Sequence, residues 1–97
     1  MKPRYRLEIP PHVGNAIRHL PPEVKQTVKE AMRLLASDPD AGEPLRRDLE
    51  GLWKYRARRF RIVYAIHRAG RVVQIFAVGH RRTIYEEVAE RVRQRDR

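Results

Sequence analysis

Ninety-seven residues with 22 Lys and Arg against 12 Asp and Glu, a net charge of +10, make a strongly cationic chain. The length suits one domain, 1–97, and excludes a two-domain enzyme with a separate cofactor fold, because single domains typically hold ~100–150 residues. The chain has no cysteine for disulfide or thiol chemistry, its first residues lack a signal peptide's apolar stretch, and no run approaches the ~18 apolar residues of a membrane helix, so a cytoplasmic protein with no membrane partner is expected.

Residues 4–9 alternate, with Tyr5, Leu7 and Ile9 on one face, which predicts a half-buried strand that Pro10-Pro11 ends. Val13, Ala16, Ile17 and Leu20 then follow helical spacing. Pro21-Pro22 breaks that helix and opens a second one, in which Val24, Val28, Ala31, Met32 and Leu35 line one face. Asp38-Pro39-Asp40-Ala41-Gly42 closes it, and residues 43–51 read as a linker. The period then changes to two. Trp53, Tyr55 and Ala57 oppose Lys54, Arg56 and Arg58, while Phe60, Ile62, Tyr64 and Ile66 oppose Arg61, Val63, Ala65 and His67. Residues 71–78 form a third β-branched strand, ended by Gly79. Thr83 fits an N-cap, Glu86 three residues on completes a capping box, and the remainder through Arg95 reads as helix. The order is β-α-α-β-β-β-α, an α+β fold. An antiparallel sheet, made of the N-terminal strand plus a three-strand meander, packs on a helical hairpin and is followed by a C-terminal helix. Trp53, Phe60, Tyr64 and Phe76 are assigned to the core.

The charge is uneven. From Lys54 through Arg82 there are nine Lys or Arg residues and no Asp or Glu. Eighteen of the 22 bases are Arg, whose flat and permanently charged fork matches phosphate oxygens and stacks on bases. His12, His19, His67 and His80 are scattered without metal-ligand spacing, and Ser37 is the only serine, so neither a metal site nor a serine nucleophile is expected, nor any cofactor. RNA cleavage fits the remaining side chains. It requires a 2′-hydroxyl to be deprotonated and aimed at its own phosphate, the phosphorane to be neutralised and the 5′-oxygen to receive a proton. Lys54, Arg56 and Arg58 on one strand face, Arg61 on the next strand, and Arg81, Arg82 and Tyr85 after the last one offer cations and a stacking ring for that task.

Gly51-Leu52-Trp53-Lys54-Tyr55-Arg56, Phe60-Arg61-Ile62-Val63-Tyr64 and Val78-Gly79-His80-Arg81-Arg82 with Tyr85 resemble the RelE/ParE toxin superfamily, most closely its RelE-type mRNA interferases. Glu43-Pro44-Leu45 and the helical hairpin extend the likeness over nearly the whole chain. The resemblance implies a type II toxin that cleaves mRNA in the ribosomal A site without metal, and a cognate antitoxin that covers its basic face. It implies that Arg61 steadies the scissile phosphate, that Arg81 or its neighbour Arg82 stabilises the leaving group, and that Tyr85 orients the nucleotide. It also implies that Lys54 and Arg56 are the paired basic strand residues. Arg56 stands where the best-known RelE enzymes carry lysine, and a guanidinium with a pKa above ~12 is a poor base. Three groups compete for the proton: Lys54 if like-charge crowding weakens its hold on its own proton, Glu43 as in the YoeB-type branch, and His80 as a shuttle. Arg58, Arg59 and Arg82 are candidate RNA contacts.

Two other functions share these features. A ParE-type protein inhibits DNA gyrase by binding, on the same fold and without cleavage, although ParE relatives usually lack the arginine–tyrosine ending. A non-enzymatic nucleic-acid-binding module uses the same patch and is marked by steep salt dependence. In either toxin reading the +10 surface invites an acidic or amphipathic antitoxin segment that folds on docking.

Overall fold

The computed structural model describes residues 4–95, so residues 1–3 of the N-terminal reading lie outside the description. Helix α1 (Pro11–Arg18) starts with proline in its first turn, where the missing N–H costs no hydrogen bond, and buries Val13 and Ile17. Ala16 of the expected stripe is exposed. Helix α2 (Pro22–Ser37) buries Val28, Ala31, Met32, Leu35 and Ala36. It stops where the Asp38 N–H donates to the Leu34 carbonyl at 2.7 Å and Pro39 follows, opening a one-turn 3-10 segment, Pro39–Ala41. These helices form the expected hairpin on one face of the sheet.

Among the described residues the sheet has five strands: β1 (Arg6–Glu8), β2 (Glu43–Pro44), β3 (Trp53–Ala57), β4 (Phe60–His67) and β5 (Val72–His80), in the order β1-β5-β4-β3-β2. The meander β3-β4-β5 is antiparallel as its short turns require. The N-terminal strand corrects the all-antiparallel expectation. β1 lies parallel to β5, with Arg6 opposite Val72 and Glu8 opposite Gln74, so the sheet is mixed. Period-two alternation records which face a residue occupies and carries no strand direction; β1 and β5 are joined through the helical hairpin and three intervening strands, a connection long enough for a parallel pair. The strand is also shorter than residues 4–9, and Ile9 beyond it is 40% exposed. Residues 43–51 do more than link. They contribute β2, antiparallel to β3, and a second 3-10 turn at Arg47–Leu49.

The third strand runs on through Gly79 and His80 because the register slips: Val63 faces Ala77 but Tyr64 faces Ile75, leaving Phe76 as the extra residue of a bulge. Phe76 and Ala77 therefore both point to the face opposite the hairpin, and every later residue of β5 changes side. That second face carries a smaller core. Leu52, Val63, Ala77, Ile84 and Val88 are buried there beneath helix α3 (Ile84–Arg95), with Phe76 half-buried among them. Trp53 and Tyr64 lie under the hairpin as expected, their rings 6.4 Å apart. At the entry to α3 the Glu87 N–H meets the Thr83 carbonyl at 3.3 Å, which places Thr83 at the N-cap position. Gly79 permits this close seating, because a Cβ there would come within 2.9 Å of the Ile84 side chain. Among the described residues no helix is long and apolar enough to cross a membrane.

Candidate active site

α3 covers only part of its face of the sheet. Beyond its first turn the strands lie open as a cleft of about 670 Å³. Among the described residues, Lys54, Arg56, Arg61, Arg81 and Arg82 line it with Tyr85, facing a single lining carboxylate, Glu43. Five cations gathered around one acid create a field suited to a polyanion, and concave walls with little competing negative charge strengthen it.

Each side chain has a local reason to be there. Arg56 and Arg61 are directly paired across β3 and β4, so two guanidinium groups share one side of the sheet. The β3–β4 connection is the two-residue turn Arg58-Arg59, with Arg58 in the left-handed region at φ 57°. Nη1 of Arg61 donates to the carbonyls of Arg58 and Phe60, both at 2.8 Å, which locks the guanidinium plane onto the hairpin. The Arg81 N–H donates to the Arg59 carbonyl at 2.8 Å, bringing the end of β5 beside that same hairpin. Tyr85, in the first turn of α3, is half-buried against the second core while its ring lines the cleft; Nζ of Lys54 lies 6.0 Å from the ring centroid. Glu43 on β2 pairs in register with Lys54 on β3, and its carboxylate is 4.0 Å from Nζ. Lys54 is 38% and Glu43 78% exposed, so the pair is open to a ligand.

Residues 54, 56, 61, 81, 82, 85 and 43 are thus brought together. Three other candidates are not. Arg58 and Arg59 line a separate groove of about 260 Å³ with Glu23, Val24 and Phe60 on the hairpin side. The bulge carries His80 to that side as well, edge-on to Phe60 at 5.8 Å, where its Nδ1 accepts the Arg82 N–H at 3.2 Å. His80 therefore packs at the strand end and does not line the cleft. Among the described residues, no cluster of three or more His, Cys, Asp or Glu could hold a metal ion.

Sequence reasoning missed Gly42, read there only as part of a turn, although the turn-rich run 38–42 was a signal that the chain bends sharply just before Glu43. A Cβ on Gly42 would collide with the Lys54 carbonyl and the Tyr64 hydroxyl, so glycine lets this wall of the cleft press against β3.

The chain matches the ParE toxin of type II toxin–antitoxin systems (parDE) over residues 6–85. No curated protein sequence matches it. Among solved structures it is similar to a chain of the toxin–antitoxin complex RelBE2 from Mycobacterium tuberculosis, at 30% identity and a TM-score of 0.74, covering 80% of this chain and 92% of that one. It is also similar to a doubly substituted Escherichia coli toxin RelE in the free state, at 23% identity and a TM-score of 0.75, over 96% and 98% of the two chains. A chain of the YoeB–YefM complex from Staphylococcus aureus shares the fold at 14% identity and a TM-score of 0.66, over 80% and 98%. A mixed sheet under a helical hairpin, an arginine-walled cleft closed by a tyrosine, and a family match spanning most of the sequence agree: the chain belongs to the RelE/ParE superfamily of type II toxin–antitoxin toxins.

Proposed function

We propose that this toxin is a metal-independent, ribosome-dependent endoribonuclease that cleaves mRNA in the A site. One observation carries the reading: Arg61 on β4, and Arg81 and Tyr85 after the end of β5, line one cleft with Lys54 and Arg56. RNA supplies its own nucleophile, so the protein has to place the phosphate, stabilise charge and move two protons. In the proposed reaction Arg56 and Arg61 hold the non-bridging oxygens, and the base stacks on Tyr85. Glu43, as the lining carboxylate, accepts the 2′-hydroxyl proton, with Lys54 beside it to orient the carboxylate. O2′ bonds to phosphorus as the P–O5′ bond breaks. Arg81 stabilises the departing 5′-oxygen, with Arg82 as a further RNA contact, and O5′ takes up a proton that balances the one released at O2′. The products are a 2′,3′-cyclic phosphate and a 5′-hydroxyl end.

Expression of the wild type, Arg61→Ala and Arg81→Ala tests this, with growth and mRNA cleavage on translating ribosomes as readouts. Each substitution is expected to lower the rate ~10²–10³-fold, as for other placed charge-stabilising donors. Equal toxicity of all three forms overturns the assignment. The match to the ParE family favours a second reading, inhibition of DNA gyrase by binding alone. Inhibition of supercoiling by the purified toxin, without RNA cleavage, would select it.

The partner proposed for either reading is a cognate antitoxin whose acidic or amphipathic segment covers the basic face in the cytoplasm. The RelBE2 structure is a toxin–antitoxin complex, which supports it. Co-purification with the product of the neighbouring gene checks it.

A further inference from the structure

We propose that Tyr64 is a positioning residue for the cleft, holding the segment that carries Glu43 against β3; this rests on the ribonuclease reading above. Tyr64 is fully buried on the hairpin side of β4 and does not line the cleft. Its hydroxyl donates to the Pro39 carbonyl at 2.7 Å and accepts the Gly42 N–H. One phenol thereby grips both ends of the turn Pro39–Ala41. The next residue after Gly42 is Glu43, whose carboxylate stands 4.0 Å from the Lys54 ammonium. The absent Cβ of Gly42 is what allows the chain to touch both the Lys54 carbonyl and the Tyr64 hydroxyl.

From the solvent side Arg68 holds the same turn, with hydrogen bonds to Asp40 at 2.6 and 3.4 Å. The turn is therefore tied from within by a phenol and from without by a guanidinium, and the proton acceptor follows directly on it. Burial pushes the Tyr64 pKa up to about 12, which keeps the hydroxyl a donor throughout the neutral range. Phenylalanine at this position retains the ring packing and loses both turn bonds.

The test is single-turnover cleavage on mRNA-programmed ribosomes by the wild type, Tyr64→Phe, Glu43→Gln, the double variant and Arg68→Met, with folding checked by thermal melting at the assay pH. Tyr64→Phe is expected to lower the maximal rate about tenfold, because small misplacements of catalytic groups are costly, and to leave the half-saturating toxin concentration unchanged. In the Glu43→Gln background the same substitution should cost nothing further. A merely structural role predicts the opposite: an equal loss in both backgrounds, or no loss per folded molecule, overturns the proposal. If Tyr64→Phe fails to fold, Arg68→Met decides, since its side chain is exposed; a reduced maximal rate that vanishes in the Glu43→Gln background supports the role, and an unchanged rate overturns it. Wild-type protein that does not cleave removes the ribonuclease reading and this role with it. Cleavage by the wild type with Tyr64→Phe unaffected removes only the positioning role.

Discussion

The two faces of the sheet are built from the same strands and serve opposite ends. Under the helical hairpin the face is closed: Ile62, Tyr64, Val73 and Ile75 have no exposed surface, and α2 supplies Val28 and Leu35 in the same state. The other face is half covered by α3 over Val63 and Ala77, and the remainder is left open to arginines. On the closed side apolar burial is the main stabilising term, at about 25 cal/mol per Å² of surface removed from water. On the open side like charges face each other, as Arg56 and Arg61 do, which opposes folding and suits the face to an anionic ligand. Stability and recognition are therefore separable by face, and substitutions can show whether that separation holds.

The largest effect should come from the closed face. Leu35→Ala is expected to remove about 2–5 kcal/mol of stability, read as a shifted midpoint in urea, because a fully buried side chain leaves a cavity that helix packing cannot fill. A loss under about 1 kcal/mol would mean the hairpin contributes less than its burial implies. On the open face, Arg81→Ala should lower mRNA cleavage ~10²–10³-fold while changing stability by no more than about 0.5 kcal/mol, since the side chain is exposed. A large drop in melting temperature would show the faces to be coupled.

Tyr64 links the two, and its titration sharpens the comparison. Its folded pKa is raised from 10.0 to about 12, chiefly by burial. Below pH 10 the phenol is neutral whether the chain is folded or not; above it the unfolded chain gives up the proton first, so the contribution is lost as pH rises toward 12. That loss is on the order of 2–3 kcal/mol, and Tyr64→Phe should lack it, so the stability gap between the two proteins narrows in alkaline denaturation series. At neutral pH the same variant should be about 1–3 kcal/mol less stable, because the Pro39 carbonyl and the Gly42 N–H lose their partner. The smallest effect is a gain: Arg56→Gln removes one of two opposed charges and should raise stability by roughly 0.2–1 kcal/mol while weakening RNA binding, with a shallower salt dependence.

Which strand residues line the cleft was largely legible in the sequence. Alternation in 53–58 and 60–67 separated Lys54, Arg56 and Arg61 from Trp53, Ile62 and Tyr64, because a pleated strand sends successive side chains to opposite faces. His80 escaped that logic. One extra residue at Phe76 reverses the phase of everything after it, and nothing in the local composition of 71–80 announces a bulge. Glu43 was visible as a candidate, yet its place opposite Lys54 depends on β2, two residues long and too short for any periodicity to register.

Sequence alone determined the pieces: two helices set off by paired prolines, a meander implied by short turns, and a positive field concentrated between Lys54 and Arg82. Those properties are local, written in spacing and composition. Tertiary structure decided what depends on distant backbone: the parallel entry of β1, the side on which His80 lies, and the docking of the Gly42–Glu43 wall through the Tyr64 hydroxyl. Strand direction, register and close approach are set by hydrogen bonds and packing between residues far apart in the chain, and no short window of sequence contains both partners.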